Sequence, residues 1–288
     1  MVRRTIKNEI KDIGSTRKEF ISEFVNIALA CSKLKKIEIE QEKGVYNLRT
    51  NLNLFIFGQI GSTKSTLLKQ IAKHTGSKEP YTDLTFPALI GSVDKMTRQL
   101  LIGACWECRN KLLLLDEFDF SKRKKDDIRA LLQLIEGGEY NKKLAGFSSP
   151  TEERDEDLYY IFKNGEFNIK TRFSLILATM KYPYRTQNSE IMALASRSVC
   201  LPWYPSQKDL YDLGQGYSLF KFQDKTPKKL KVKIKKKDWD YLLKKAKETN
   251  STNFLRIAGD MARVFAIEKK HREDLYDIIL KMGSKKFG

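Results

Sequence analysis

Two short segments carry residue types at spacings suited to phosphate chemistry. Gly58-Gln59-Ile60-Gly61-Ser62-Thr63-Lys64-Ser65-Thr66 is a glycine-bearing run that ends in a lysine and two hydroxyls. Leu112-Leu113-Leu114-Leu115-Asp116-Glu117-Phe118-Asp119 sets adjacent carboxylates at the end of an apolar run. A loop of the first kind turns backbone N–H groups and the Lys64 ammonium toward phosphates, and the Ser65 hydroxyl can ligate Mg²⁺. A pair of the second kind divides the remaining work. Asp116 serves the metal's outer sphere, and Glu117 serves the water that attacks a terminal phosphate. Phosphoryl transfer needs such a division because its catalysis is mostly positioning and charge stabilisation.

These residues require strands that end at the right place. Leu52-Asn53-Leu54-Phe55-Ile56-Phe57 reads as a buried strand running into the Gly58 loop, and Thr66 to Ile71 continues from it as a helix. A second buried strand ends at Asp116, followed by a helix with Ile128, Leu131, Leu132 and Ile135 on one face. A third is Phe173 to Thr179. Strands alternating with helices predict a parallel sheet sandwiched by helices. Upstream, residues 15–35 predict a helix capped by Ser15 or Thr16, with Phe20, Phe24, Ile27, Ala28 and Cys31 on its core face. A strand pair around Ile37–Leu48 would turn at Lys43-Gly44. Pro80 to Arg98 carries turn signals without a clear period. Residues 148–157 are a polar stretch, and Tyr159 to Phe167 predicts a hairpin with Asn164-Gly165 at a type I′ turn. After Pro202, Pro205 and Gly214-Gln215-Gly216 the composition shifts. Lys228 to Lys237 alternates apolar and basic residues, and two helices follow at about 238–248 and 253–271. The expected organisation is an N-terminal helical extension (1–48), an α/β core (49–204) and a mostly helical second domain (205–288).

The formal net charge is +18, from 54 Lys and Arg against 36 Asp and Glu. A surplus of that size points to a polyanionic partner, most often nucleic acid. The first residues, Met1-Val2-Arg3-Arg4-Thr5-Ile6-Lys7, hold no apolar signal core, and no run reaches a transmembrane length, so a cytoplasmic chain with no membrane partner is expected. Cys105 and Cys108 form a lone Cys-x-x-Cys with no second ligand pair, which fits buried thiols better than zinc.

The motifs resemble the AAA+ motor region of the minichromosome maintenance (MCM) replicative helicases, over about residues 49–200 and more loosely over 250–283. Arg49-Thr50-Asn51-Leu52-Asn53-Leu54, Gly58 and Lys64-Ser65-Thr66-Leu67-Leu68-Lys69 are similar to that family's lead-in and Walker A motif. Asp116-Glu117-Phe118-Asp119 matches its Walker B tetrad. Ala193-Leu194-Ala195-Ser196-Arg197 is similar to its arginine-finger motif, and Arg256 falls at its sensor-2 arginine. The fold this implies is a P-loop AAA+ parallel sheet with a small, mostly helical C-terminal lid. The resemblance implies an ATP- and Mg²⁺-dependent hydrolase that moves on single- or double-stranded DNA as a ring, a hexamer in that family. Gly58, Gly61, Ser62, Thr63, Lys64, Ser65 and Thr66 would surround the nucleotide, and Ser65 and Asp116 the metal. Glu117 would activate water, Thr179 would sense the γ-phosphate, and Arg197 and Arg256 would complete a neighbouring subunit's site.

Several positions depart from the family pattern. Thr63 stands where most phosphate loops have Gly and MCM proteins often have Ala; a β-branched residue tolerates a narrower backbone range. Thr179 stands where the family has Asn, with Met180 competing for the register. Leu144 takes the register of the channel-hairpin lysine in Lys142-Lys143-Leu144-Ala145-Gly146, with Lys142 and Lys143 beside it as DNA-contact candidates or as a solvated face. Only 57 residues precede Gly58, too few for the family's N-terminal DNA-binding module, so a separate DNA-binding or replication protein is a further expected partner. Three readings stay open: a motor on DNA, a nucleotide-dependent switch that binds DNA or recruits an enzyme, and a machine acting on protein.

Overall fold

The computed structural model describes residues 17–59, 61–82, 84–94, 96–97, 99–117, 125–143, 150–180, 189–223 and 225–284. In chain order the elements begin with α1 (Arg17–Lys33), β1 (Lys36–Gln41), β2 (Gly44–Leu48), β3 (Leu54–Phe57), α2 (Lys64–Thr75), β4 (Tyr81–Thr82) and α3 (Phe86–Ile90). Then come β5 (Gly91–Val93), β6 (Leu100–Ile102), α4 (Ala104–Glu107), β7 (Leu112–Asp116), α5 (Lys125–Gly137) and β8 (Glu139–Lys143). They continue with β9 (Thr151–Asp155), β10 (Leu158–Lys163), β11 (Glu166–Lys170), β12 (Ser174–Thr179), α6 (Ser189–Ser196) and β13 (Val199–Pro202). The last are α7 (Gln207–Gly214), β14 (Lys231–Ile234), α8 (Lys236–Lys247), α9 (Phe254–Glu268) and α10 (Glu273–Ser284).

The centre is a five-stranded, all-parallel sheet in the order β13-β3-β12-β7-β4. Its strands read as near-continuous aliphatic runs because both faces are covered. Leu54, Ile56, Leu112, Leu114, Ile176 and Ala178 point to one face, packed with α1, α2 and α9. Phe55, Phe57, Leu113, Leu115, Leu175 and Leu177 point to the other, packed with α4, α5 and α6. The period-2 alternation of side chains thus feeds two cores from one set of strands. The chain is therefore mixed α/β, with a parallel sheet flanked by helices.

The predicted α1 face is buried or partly buried, but so are Ile21, Ser22, Val25, Asn26, Leu29, Ala30 and Ser32. The helix is covered on nearly every side because it lies between the sheet and α9. The first hairpin turns at Glu42-Lys43, with Gly44 already opening β2, one residue earlier than predicted. The unplaced region beyond Pro80 supplies edge strand β4, α3 and β5. The polar stretch 148–157 is not all loop: Thr151–Asp155 forms β9, paired antiparallel with β10. The predicted hairpin is present, with Asn164 at φ +54° and Gly165 at φ +73° as a type I′ turn requires. It belongs to an antiparallel sheet, β8-β11-β10-β9. Tyr160 and Phe162 are buried there, and Tyr160 meets Phe167 edge-on at 4.7 Å, so these two rings serve packing rather than base stacking.

A third helix, α10, follows the two predicted at the C-terminal end. Strand β14 pairs parallel with β1, and residues from both ends of the chain share one core. Val232 and Ile234 point inward while Lys231 and Lys233 face solvent. Lys233 pairs with Glu40 at 2.7 Å, as a lysine-protected edge strand would. No helix among the described residues is long and apolar enough to cross a membrane.

Candidate functional site

The carboxyl ends of β3, β12 and β7 lie side by side, the position where open parallel sheets bind ligands. From β3 the chain turns at Gly58 and enters α2 at Lys64. The Lys64 ammonium donates to the Gly58 carbonyl at 3.1 Å, the Gln59 carbonyl at 2.8 Å and the Ser62 hydroxyl at 3.0 Å. Lys64 is buried, and burial pulls its pKa below the usual lysine value, partly offset by the negative charges of Asp116 and Glu117. The strand register, with Thr179 level with Phe57 and Leu177 level with Leu115, brings the lysine loop and the carboxylate pair into one site. Asp116 ends β7, buried, and its Oδ1 accepts from the Glu117 N–H at 3.0 Å. Glu117 itself is exposed, with a left-handed backbone at φ +47°. Thr179 ends β12 opposite Phe57, buried, and its carbonyl accepts from the Gly58 N–H at 3.3 Å; Met180 beyond it is 51% exposed. Phe118, Asp119 and Leu144–Gly146 lie outside the described residues.

Thr63 is left-handed, with φ +57° and ψ +30°. Such a conformation costs an L-residue about 1–2 kcal/mol, and a β-branched side chain tolerates it least. The Thr63 hydroxyl bonds the Ser62 carbonyl at 2.7 Å and does not cap α2. Gly61 is also left-handed, at φ +75°. These turns fold the loop back over the helix start, where backbone N–H groups and the helix dipole favour an anion. Ser65 and Thr66 follow in the first turn of α2, half-buried.

Trp203, which local sequence reading missed, pins the loop. Its backbone N–H donates to the Phe57 carbonyl at 2.7 Å, and its indole N–H donates to the Ser62 carbonyl. A Cβ at Gly58 would stand 2.3 Å from the Trp203 carbonyl oxygen, so only glycine fits that position. The one sequence signal was an aromatic between Pro202 and Pro205 at a strand end.

Arg197 and Arg256 are not at this end of the sheet. Arg197 precedes β13 by two residues, and Val199 of that strand pairs with Leu54. Six residues of strand rise, roughly 20 Å, separate its level from Gly58. That exceeds the reach of an arginine side chain, so Arg197 cannot meet Lys64 within one chain. The Arg197 carbonyl accepts from Asn53 Nδ2 at 3.3 Å, while Asn53 Oδ1 accepts from the Leu175 N–H at 2.9 Å. Buried Asn53 thereby fixes the backbone of Arg197 to the amino ends of β3 and β12. The Arg197 guanidinium pairs with Glu136 and donates to the Ala193 carbonyl at 2.8 Å. Arg256 donates to Ser196 Oγ at 2.6 Å and lies 3.7 Å from Glu136. Partial burial, then the neighbouring Arg197 charge, push its pKa below the usual arginine value. Lys142 and Lys143 are exposed on edge strand β8, with Lys143 3.7 Å from Glu166.

All four cysteines are buried, and none of them is in a disulfide. Burial pushes Cys108 up to about 11 and Cys31 up to about 12. No family model matches the chain, and no curated protein matches it.

Proposed function

We propose that the chain is an MCM-like AAA+ ATPase that assembles head to tail into a ring and uses ATP hydrolysis to move on DNA. The observation that carries this reading is the polarity of the parallel sheet. A phosphate-type loop, Thr179 and an Asp-Glu pair end three adjacent strands on one edge, while two arginines stand at the opposite edge. Lys64 and the loop N–H groups hold the phosphates, and Thr179 lies between the loop strand and the acidic strand, suited to sensing the terminal one. Glu117, exposed beyond buried Asp116, orients and deprotonates the attacking water. The hard oxygen donors of Ser65 and Asp116 fit Mg²⁺, which is held by one or two carboxylates and by the phosphates themselves. When bound, that ion neutralises charge on the phosphates. Arg197 and Arg256 reach the triphosphate of the next subunit, where such a guanidinium adds roughly 10³–10⁵ in rate.

The test mixes two inactive variants. Lys64→Ala spoils the loop, and Arg197→Ala spoils the finger. In a randomly mixed ring of head-to-tail contacts, about a quarter of the interfaces combine an intact loop with an intact finger. ATPase activity should therefore return on mixing. No recovery, with both variants folded and assembled, refutes the shared site. Glu117→Gln should bind ATP without turning it over, and unchanged hydrolysis refutes its assignment as base.

A second reading, a nucleotide-dependent DNA-binding switch without processive unwinding, draws on exposed Lys142 and Lys143, one of them leaning on Glu166. Strand displacement by the purified protein would decide against it.

A further inference from the structure

Four guanidinium groups, Arg49, Arg197, Arg256 and Arg263, line one cavity of about 240 Å³ at the edge of the sheet opposite the Gly58 loop. Two carboxylates answer them. Asp260 holds Arg263 at 2.8 Å, and Glu136 is shared between Arg197 and Arg256. Arg49 donates to the Ile135 carbonyl at 2.8 Å, and no carboxylate pairs with it among the described residues. Asn51 donates to the same carbonyl at 2.8 Å, so the C-terminal turn of α5 is tied to the segment before β3, with Glu136 directed at the arginines. Four like charges around one void repel each other, and two carboxylates leave the cavity positive. An anion relieves that.

The size of the cavity limits which anion. Whole small-molecule pockets run from about 300 to 1,000 Å³, so this one suits the phosphate end of a nucleotide whose remainder lies elsewhere. Its rim is apolar and exposed: Tyr46 is 51% and Leu255 59% solvent-accessible. Tyrosine and arginine together are the residues that dominate protein interfaces. The complementary surface within this same chain is the Gly58 loop edge, with Asp116, Glu117 and the phosphates that a nucleotide held there would add.

We infer that two further residues serve the shared site proposed above, in which a second copy of the chain would present terminal phosphates to this cavity. Arg49 is a third phosphate-contacting guanidinium beside Arg197 and Arg256, and Glu136 is the internal anion that phosphate displaces. The nucleotide-bearing second copy rests on the function proposed above; the anion cavity and the competing role of Glu136 rest on geometry alone. Glu136 keeps the two arginines aligned in a lone subunit and taxes the binding of any incoming anion. Assembly then exchanges one carboxylate for a more highly charged group, so the arginines stay paired until a nucleotide-loaded neighbour docks.

The test uses the full chain carrying Lys64→Ala, to weaken its own loop, with inorganic tripolyphosphate as probe and calorimetry as readout. Adding Glu136→Gln should tighten binding about tenfold, because a charged competitor becomes a neutral one. Adding Arg49→Gln, which keeps a donor for the Ile135 carbonyl, should weaken it about tenfold. If the glutamine variant at 136 fails to fold, Glu136→Ala reports the same direction. Tripolyphosphate affinity that stays within twofold in both added variants overturns the inference. Should that happen while Lys64-dependent ATPase persists in the unmodified chain, the inference falls and the proposed function stands. A Glu136-dependent anion site in a protein that never hydrolyses ATP keeps the cavity and removes its nucleotide donor.

Discussion

Replacing Gly58 by alanine should destabilise the protein far more than the same change at Gly61, although both glycines belong to one loop. A methyl at Gly58 would stand 2.3 Å from the Trp203 carbonyl oxygen and 3.2 Å from Ser62 Oγ. The closer atom is backbone at the end of β13, so it cannot swing aside. Either β13 shifts, which loosens the Trp203 N–H bond to Phe57, or the loop shifts, which loosens the indole bond to Ser62. Overpacking costs about 1–3 kcal/mol and each weakened hydrogen bond about 0.5–1.5 kcal/mol. Gly58→Ala should therefore cost about 1.5–4.5 kcal/mol, a large part of a typical stability of about 5–15 kcal/mol. Gly61 has φ +75° and nothing within 4 Å of an added Cβ. Its alanine pays about 1–2 kcal/mol for the left-handed conformation and regains about 0.4–1 kcal/mol from a stiffer unfolded chain. The net loss should be between about 0 and about 1.6 kcal/mol. Equilibrium urea unfolding, followed by tryptophan fluorescence, measures both. Equal losses, or a Gly58→Ala loss below about 1 kcal/mol, would refute the claim that Trp203 sets the loop.

Thr63→Gly should change stability by less than about 1 kcal/mol, since relief of a left-handed threonine offsets the lost hydroxyl bond and the looser unfolded chain; a loss above that in the same assay contradicts the strain at Thr63. The buried cysteines should resist iodoacetamide at pH 8 in the native protein and all four should react in urea, with mass spectrometry counting adducts. Cys108, raised to about 11 in the fold, stays protonated where the unfolded thiol ionises. The unfolded state therefore binds fewer protons above its own thiol pKa near 9, and stability should fall as pH rises from about 9 toward 11. Rapid native labelling or a flat alkaline stability profile would contradict that burial.

The strand–loop–helix around Gly58 and the strand ending at Asp116 were legible because their signals are local. Apolar runs, glycines and a lysine within a dozen positions define them. Contacts between distant segments were not. Trp203 reaches Ser62 across 141 residues and sits among prolines with no periodic pattern. Arg197 and Glu136 meet across 61 residues, and neither position announces the other. Strand β9, Thr-Glu-Glu-Arg-Asp, contradicts β-propensity; it is held by register with β10 and by the Trp106 indole, which donates to Glu153 at 2.6 Å. Thr63 was legible as a conflict and not as a solution. A β-branched residue at a glycine position has to strain or shift the loop, and it takes the left-handed backbone of the glycine it stands for.

Sheet direction decides whether the Gly58 loop and Arg197 can meet within one chain. Parallel strands send every carboxyl end one way, so a loop that follows β3 and an arginine that precedes β13 are held apart by the length of the sheet. No rotamer change closes roughly 20 Å, and closing it by bending would break the Asn53 clamp that fixes Arg197 to β3 and β12. The separation is therefore rigid. Under the proposed function, only a second molecule can bridge it, and it must bring its loop edge against the arginine edge of the first. Such a contact uses two different surfaces. Made one way only, it propagates around a closed ring or along an open filament; a two-fold dimer satisfies both edges only if the two copies lie antiparallel and make the contact reciprocally.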